Sequence, residues 1–461
     1  KIIITLLSVL LCSTGHAQFF EKVDYVGALS ADKSKDWTSG WTHWNPKSIF
    51  WAADYGWDTT TFNSPTGIIE ITGTVTLYEK TTYLLRSVVV VRNGGKLIIP
   101  AGTIIRGIAN LSMTPKQYAT IVVERGGYIS CEGTSARPVV FTSAKGSEYR
   151  GSGDWGGIVI CGKARNNQGT DIQVEGFNNI SANSTLAKHG GVNDDDNSGV
   201  IKYTRIEFCG LAFEPNKEIN GLTLASVGRN TTVDHVQVSY SNDDSYEWFG
   251  GTVNCKHLIS FKTTDDDFDT DFGYTGAVQF GIAFKDSSKF DLSWNSPSGA
   301  STSETFESDN DASGSGKLPL TTAVFSNMTC VGPIPAGMTW SQLSITQKGA
   351  FRRGVRIRRN SRLSIVNSIF MGYRNFVMFD GDSVLVNSGV KSKTISDKNN
   401  LFRNNYIYGV KASAPVGTTN TGLAEVSSGS NVNLLDSWVR NSINNNFIDT
   451  NTFKPGVLVN T

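Results

Sequence analysis

Short runs of alternating apolar and polar residues recur along the chain, separated by Gly, Asn and Ser, and no stretch keeps the period of a long amphipathic helix. Residues 88–107 read VVVVRNGGKLIIPAGTIIRG, and residues 120–144 echo them with TIVVERGGYI and then PVVFTSA. Strand, Gly-Gly turn, strand, turn and strand within roughly 20–30 residues is the arithmetic of one solenoid coil. The same beat returns at 203–208, 235–240, 256–261, 326–330 and 366–371, with inward apolar positions alternating with outward polar ones. The pattern predicts an all-β fold, a right-handed single-stranded parallel β-helix. A doubly wound sheet or TIM barrel lacks its helices here. A β-propeller needs four antiparallel strands in each blade of roughly 40–50 residues, which the 21-residue step from Val238 to Ile259 does not suit.

A solenoid must cover its open ends. Residues 18–75 hold Trp37, Trp41, Trp44, Trp51 and Trp57, half of the ten Trp in the chain, and are expected to cap the first coil. A sugar-stacking platform is the other use of such a stretch. The helix itself is expected over residues 76–410, a polar loop is expected to leave it at 176–200, and 411–461 should form last coils, a cap or a tail. Residues 1–17 read as a secretory signal peptide: Lys1, an apolar run over 2–11, and the cleavage-like Gly15-His16-Ala17. The expected location is therefore extracellular or on the cell surface, with no transmembrane segment in the mature chain. Cys131, Cys161, Cys209, Cys255 and Cys330 show no metal-ligand spacing and read as buried thiols or a single disulfide.

Charge changes the picture locally. The totals are 42 basic and 41 acidic side chains, so nothing favours nucleic acid as a partner. The acids concentrate at 243–271 and 304–311, and Arg352, Arg353, Arg356, Arg358, Arg359 and Arg362 form a basic run. If Tyr240 and Phe261 are equivalent in successive coils, Asp244 and Asp265 stack about 4.8 Å apart. Asp243, Glu247, Asp266, Asp267, Asp269 and Asp271 surround them, and Glu307, Asp309 and Asp311 alternate along one face. Carboxylates so close need a cation, an Arg or a raised pKa. Oxygen-only ligands suit Ca²⁺, with Asp243, Asp244, Glu247, Asp265, Asp267, Asp269 and Asp271 as candidate metal ligands. Solvated turns are the plain alternative. Arg356 and Arg358 would pair with these acids or bind acidic sugars. With Glu307, Asp309, Asp311 and Trp248 they make up the candidate ligand-binding set. Catalysis, if present, would use Asp244, Asp265, Asp266 and Arg356, as paired carboxylates for glycoside hydrolysis or as Ca²⁺ and Arg for a polysaccharide lyase. His235 and His257 read as a packing ladder.

Several motifs carry a resemblance: GDWGGI at 153–158, the acidic run at 193–199, RIEF at 205–208, NGLTL at 220–224, DDSYEWFGG at 243–251, DDDFDTD at 265–271 and FESDND at 306–311. Over roughly residues 23–385 the chain resembles exported, pectin-lyase-like β-helix proteins of Bacteroidetes-type bacteria. The resemblance implies fold and export and supplies no catalytic assignment. The sequence thus points to a secreted or cell-surface β-helix that binds a ligand, glycan or partner protein. A polysaccharide lyase or glycoside hydrolase, and a structural part of an outer-surface assembly, are the alternatives.

Overall fold

The valine run Val88–Val91 pairs in parallel with Thr120–Val123, which pairs in turn with Ile158–Cys161. The ladder continues through Leu222–Ala225, Tyr246–Phe249, Phe268–Asp271, Phe306–Ser308, Arg353–Arg358 and Asn375–Asp380 to Ala424–Val426. This parallel sheet has 11 strands, and a 17-stranded sheet builds the remaining wall of the solenoid. The computed structural model describes residues 19–51, 59–79, 81–112, 116, 118–177, 186–214, 217–291, 302–335, 337–393, 400–409, 421–427 and 431–449. The expected signal peptide and Trp57 lie outside the described residues.

Because coils repeat, like stacks on like. Tyr246, Phe268 and Phe306 point inward one above another, with ring centroids 5.6 Å and 5.2 Å apart. Trp248, expected at a ligand surface, belongs to this interior. It has no exposed surface and stacks on Tyr274 at 5.4 Å. Strand alternation puts Glu247 outside and Trp248 inside. All five described cysteines are buried and free, and burial pushes the Cys209 thiol up to about 12.

In the middle coils two short strands fuse into one long strand, bent at a residue with positive φ. Tyr203 (47°), His235 (55°), His257 (54°), Phe280 (63°), Asn327 (57°), Asn367 (52°) and Asn404 (57°) occupy this corner in successive coils. Each costs on the order of 1–3 kcal/mol unless its surroundings hold it. Here stacking does so: His235 lies 4.3 Å from Tyr203 and 4.1 Å from His257, which lies 5.2 Å from Phe280. The corners also correct the expected register. Phe261 stands opposite Ser239, not Tyr240, and Tyr246 opposite Phe268, a step of 22 residues. A second positive-φ corner falls at Tyr240 and Lys262, so the resemblance of Tyr240 to Phe261 misled by one residue. In a strand, one residue of slip exchanges the faces.

Residues 19–51 form a strap along the corner, where a cap over the first coil was expected. Glu21 exchanges two 2.8 Å hydrogen bonds with the side-chain amide of Gln279, and His43 exchanges two of 2.9 Å with Gln237. Asn327 donates to the Tyr25 carbonyl at 3.1 Å, and Gly27 N–H donates to the Asn367 carbonyl at 2.8 Å. Trp37 and Trp41 rest on the histidine corner. The coils begin before residue 76, since Thr59–Phe62 and Ile68–Ile71 already pair with Thr82–Leu85 and Val88–Val91. The loop expected to leave the helix instead folds back. Val174, Phe177, Leu186 and Ala187 pack on outward Val88, Val122 and Val159, although residues 178–185 lie outside the described set. At the far end, helix Val432–Val439 lays Leu435, Trp438 and Val439 over the last coils. Among the described residues no helix is long and apolar enough to cross a membrane.

Replacing Phe306 by Ala removes a ring that stacks on Phe268, tilts against Phe370 and packs edge-on against Phe325. The loss expected is about 3–5 kcal/mol, read as a lowered urea midpoint. An unchanged midpoint would contradict the interior stack.

Candidate functional site

The outward positions of the short strands form columns on the 11-stranded sheet. One column runs Thr223, Glu247, Asp269, Glu307, Arg356, Met378 and Glu425. Beside it, backbone N–H groups tie the acids of the strand entrances together. Asp266 N–H donates to Asp244 at 2.8 Å, and Glu304 N–H donates to Asp266 at 2.6 Å. The register therefore brings Asp244 to Asp266, where Asp265 was expected. On the other side, Phe249 is paired with Asp271, and Arg358 with Asp380.

The late coils are neutralised. Arg353 bridges Glu304 (3.0 Å) and Glu425 (2.8 Å), and Arg356 bridges Glu307 (3.2 Å) and Asp380 (2.9 Å). Arg358 and Arg359 both hold Asp309 at 2.7 Å, and Arg358 also reaches Glu307. Burial opposes the charge on Arg356, but Glu307 and Glu304 outweigh it and keep its pKa above the ordinary value. A guanidinium so held is an ion-pair partner and a poor base. Asp311 does not join Glu307 and Asp309: it turns into its own loop, accepting from Ser313 N–H at 2.8 Å and Ser315 N–H at 3.1 Å.

The early coils are different. Among the described residues no Lys, Arg or His nitrogen lies within ion-pair distance of Asp244, Glu247, Asp266, Asp269 or Asp271. One oxygen each from Asp244, Glu247 and Asp269 lie within 4.8 Å of one another, as do those of Asp266, Asp269 and Glu307, and those of Asp243, Asp244 and Asp265. Burial first, then Asp243 and Asp266, pushes Asp244 well above the carboxylate range. Burial followed by Glu307 and Asp309 does the same to Asp269. Asp271 is raised to about 8 by burial and Asp309. Asn220 donates to Glu247, while Asp269 Oδ1 is buried with no hydrogen-bond partner.

Asp267 leaves the set of candidate metal ligands. It faces inward, accepts from Ser260, and lies 3.5 Å from Lys285 Nζ, with neither side chain exposed. Glu304 and Asn220 were missed as site residues. The 22-residue spacing of His235 and His257 was the signal that would have set the register and found them. The strip borders a cavity of about 210 Å³ whose walls include Glu175, His189, Phe249 and Phe272, Phe249 being the coil neighbour of Asp271.

Stacked parallel coils with an external carboxylate strip define a parallel β-helix. The family model described as "Pectate-lyase like beta helix domain" matches residues 69–441, and the chain belongs to that family. Comparison with curated proteins gave no match. A solved structure described as "Crystal structure of Agl-KA catalytic domain" aligns with a TM-score of 0.27 and 10% identity, over 84% of this chain and 62% of that one. The chain therefore spans less than two-thirds of that structure's length, and a likeness at this level says nothing of activity.

A carboxyl whose folded pKa is raised keeps a proton that the unfolded chain has lost, so stability falls as pH rises between the two values. For Asp271 that window runs from the ordinary carboxylate range to about 8. In the absence of divalent cations the thermal midpoint should fall across this window. The fall should be shallower in Asp271→Asn. Identical pH profiles for the two proteins would contradict the assignment.

Proposed function

We propose that this protein is an exported β-helix that holds Ca²⁺ on the strip of Asp244, Glu247 and Asp269, with Asp266 and Glu307 beside them, and binds an acidic glycan through the ion. The observation that carries the reading is the convergence of one oxygen each from Asp244, Glu247 and Asp269 within 4.8 Å with no ion-pair partner among the described residues, next to coils in which Glu304, Glu307 and Asp309 are each paired with Arg. Ca²⁺ takes 6–8 oxygen ligands. Three protein oxygens leave positions for a sugar carboxylate or hydroxyls. Membership of a pectate-lyase-like family supports a carbohydrate ligand, and the leader-like residues 1–17 support export.

A glycoside hydrolase is the second reading. A carboxyl raised to about 8, as at Asp271, is a proton donor at neutral pH. The spacing limits this scheme: oxygens within 4.8 Å are closer than the roughly 6.5–9.5 Å that an inverting pair needs, and nearer to the roughly 5–5.5 Å of a retaining pair. A lyase scheme that uses Arg356 is disfavoured because its guanidinium is already paired to Glu307 and Asp380.

Calorimetric titration of Ca²⁺ should give saturable heat with the wild-type chain and at least about tenfold weaker binding in Glu247→Gln and in Asp269→Asn. A uronate oligosaccharide should then bind only in the presence of Ca²⁺. No heat in the wild type overturns the metal reading, and release of reducing ends or unsaturated product from the glycan would favour an enzyme.

A further inference from the structure

A second convergence of ligand atoms lies on the corner of the helix beneath the strap, away from the acidic strip. Asp234 Oδ1 is 2.7 Å from Nδ1 of His235 and 2.7 Å from Nδ1 of His257. The His257 contact is an aligned hydrogen bond, whereas Nδ1 of His235, a residue only 9% exposed, has no aligned partner. All three ligand atoms lie within 4.8 Å of one another. The setting is enclosed by rings: Trp37 is 5.0 Å from His257, Trp41 is 5.7 Å from His235, and Tyr203 and Phe280 continue the stack on either side. The neighbouring cation Lys256 is engaged by Glu21 at 2.6 Å, so it does not compete for Asp234.

We propose that Asp234, His235 and His257 form a site for a transition-metal dication of the Zn²⁺ class. Two imidazole nitrogens and one carboxylate oxygen are the donor set such ions prefer, and three protein ligands leave a fourth position for water. Bonds of about 2.0–2.2 Å at tetrahedral angles place ligand atoms roughly 3.3–3.6 Å apart. The Asp234 carboxylate must therefore back away by roughly 0.6–0.9 Å from its present 2.7 Å contacts. An ion here ties two successive coils together at a backbone corner that is strained in both. It also firms the surface on which Trp37 and Trp41 rest. The hydroxyl- and carboxylate-rich strip on the other sheet has no imidazole in its clusters and suits a harder ion.

The test uses the full chain and Zn²⁺ alone as probe, in competition with a chromophoric chelator and with excess Ca²⁺ present to occupy the acidic strip. His235→Phe and His257→Phe are the variants of choice, because Tyr203 and Phe280 already place aromatic rings at the equivalent corner of neighbouring coils. Wild type should bind one Zn²⁺, and each variant should lose more than about tenfold in affinity while keeping its thermal midpoint in the absence of metal. Hydrogen exchange across residues 25–43 should slow with Zn²⁺ in the wild type and not in the variants. Absence of binding in the wild type, or undiminished binding in either variant, overturns the proposal. Neither result bears on the Ca²⁺ reading, which concerns other residues.

Discussion

Each coil of this protein sits directly on the one before it, about 4.8 Å away, so a side chain's closest neighbours are its counterparts above and below. Inside, the constraint is easily met, because rings stack well on rings: Tyr246, Phe268 and Phe306 form such a pile. Outside, it makes every charge a problem for the whole column. A carboxylate on one coil meets whatever the next coil offers, and on this wall the next coil often offers another carboxylate. Arginines answer the problem in the later coils, where Arg353, Arg356 and Arg358 interleave with Glu304, Glu307 and Asp309. In the earlier coils Asp244, Glu247 and Asp269 have no ion-pair partner among the described residues, and that imbalance is the physical basis of the functional reading.

The same constraint governs the opposite flank. A left-handed residue at each corner costs backbone energy, and the column Tyr203, His235, His257, Phe280 recovers part of it by stacking. The strap then covers that column, using the side-chain amides of Gln237, Gln279 and Asn327 to satisfy an extended backbone that has no strand partner of its own. The amides replace a sheet edge, so the flank is finished without inviting another chain to pair with it.

Much of the architecture was legible because the solenoid writes its period into the chain. The repeated VVVV and TIVV runs gave the coil, and alternation gave the inner face. The exact register was not legible: Tyr240 and Phe261 look equivalent by residue type, yet the corners make Phe261 the partner of Ser239. Of three consecutive aspartates, Asp265, Asp266 and Asp267, only the fold tells which turns inward, because the Lys285 that meets Asp267 comes from the next coil. The strap was opaque for another reason. Its contacts reach residues some 194 positions away and depend on backbone groups, which carry no signature of residue type.

The most direct measurement places the same new charge at two points of one column. Glu247→Lys inserts a cation among acids that lack one, whereas Glu307→Lys sets a cation against Arg356 and Arg358. With divalent ions removed by a chelator, the thermal midpoint should rise or hold in Glu247→Lys and fall in Glu307→Lys. Added Ca²⁺ should raise the wild-type midpoint and leave that of Glu247→Lys unmoved. Equal falls in both variants, with the Ca²⁺ response intact in Glu247→Lys, would contradict the account of an uncompensated acidic strip.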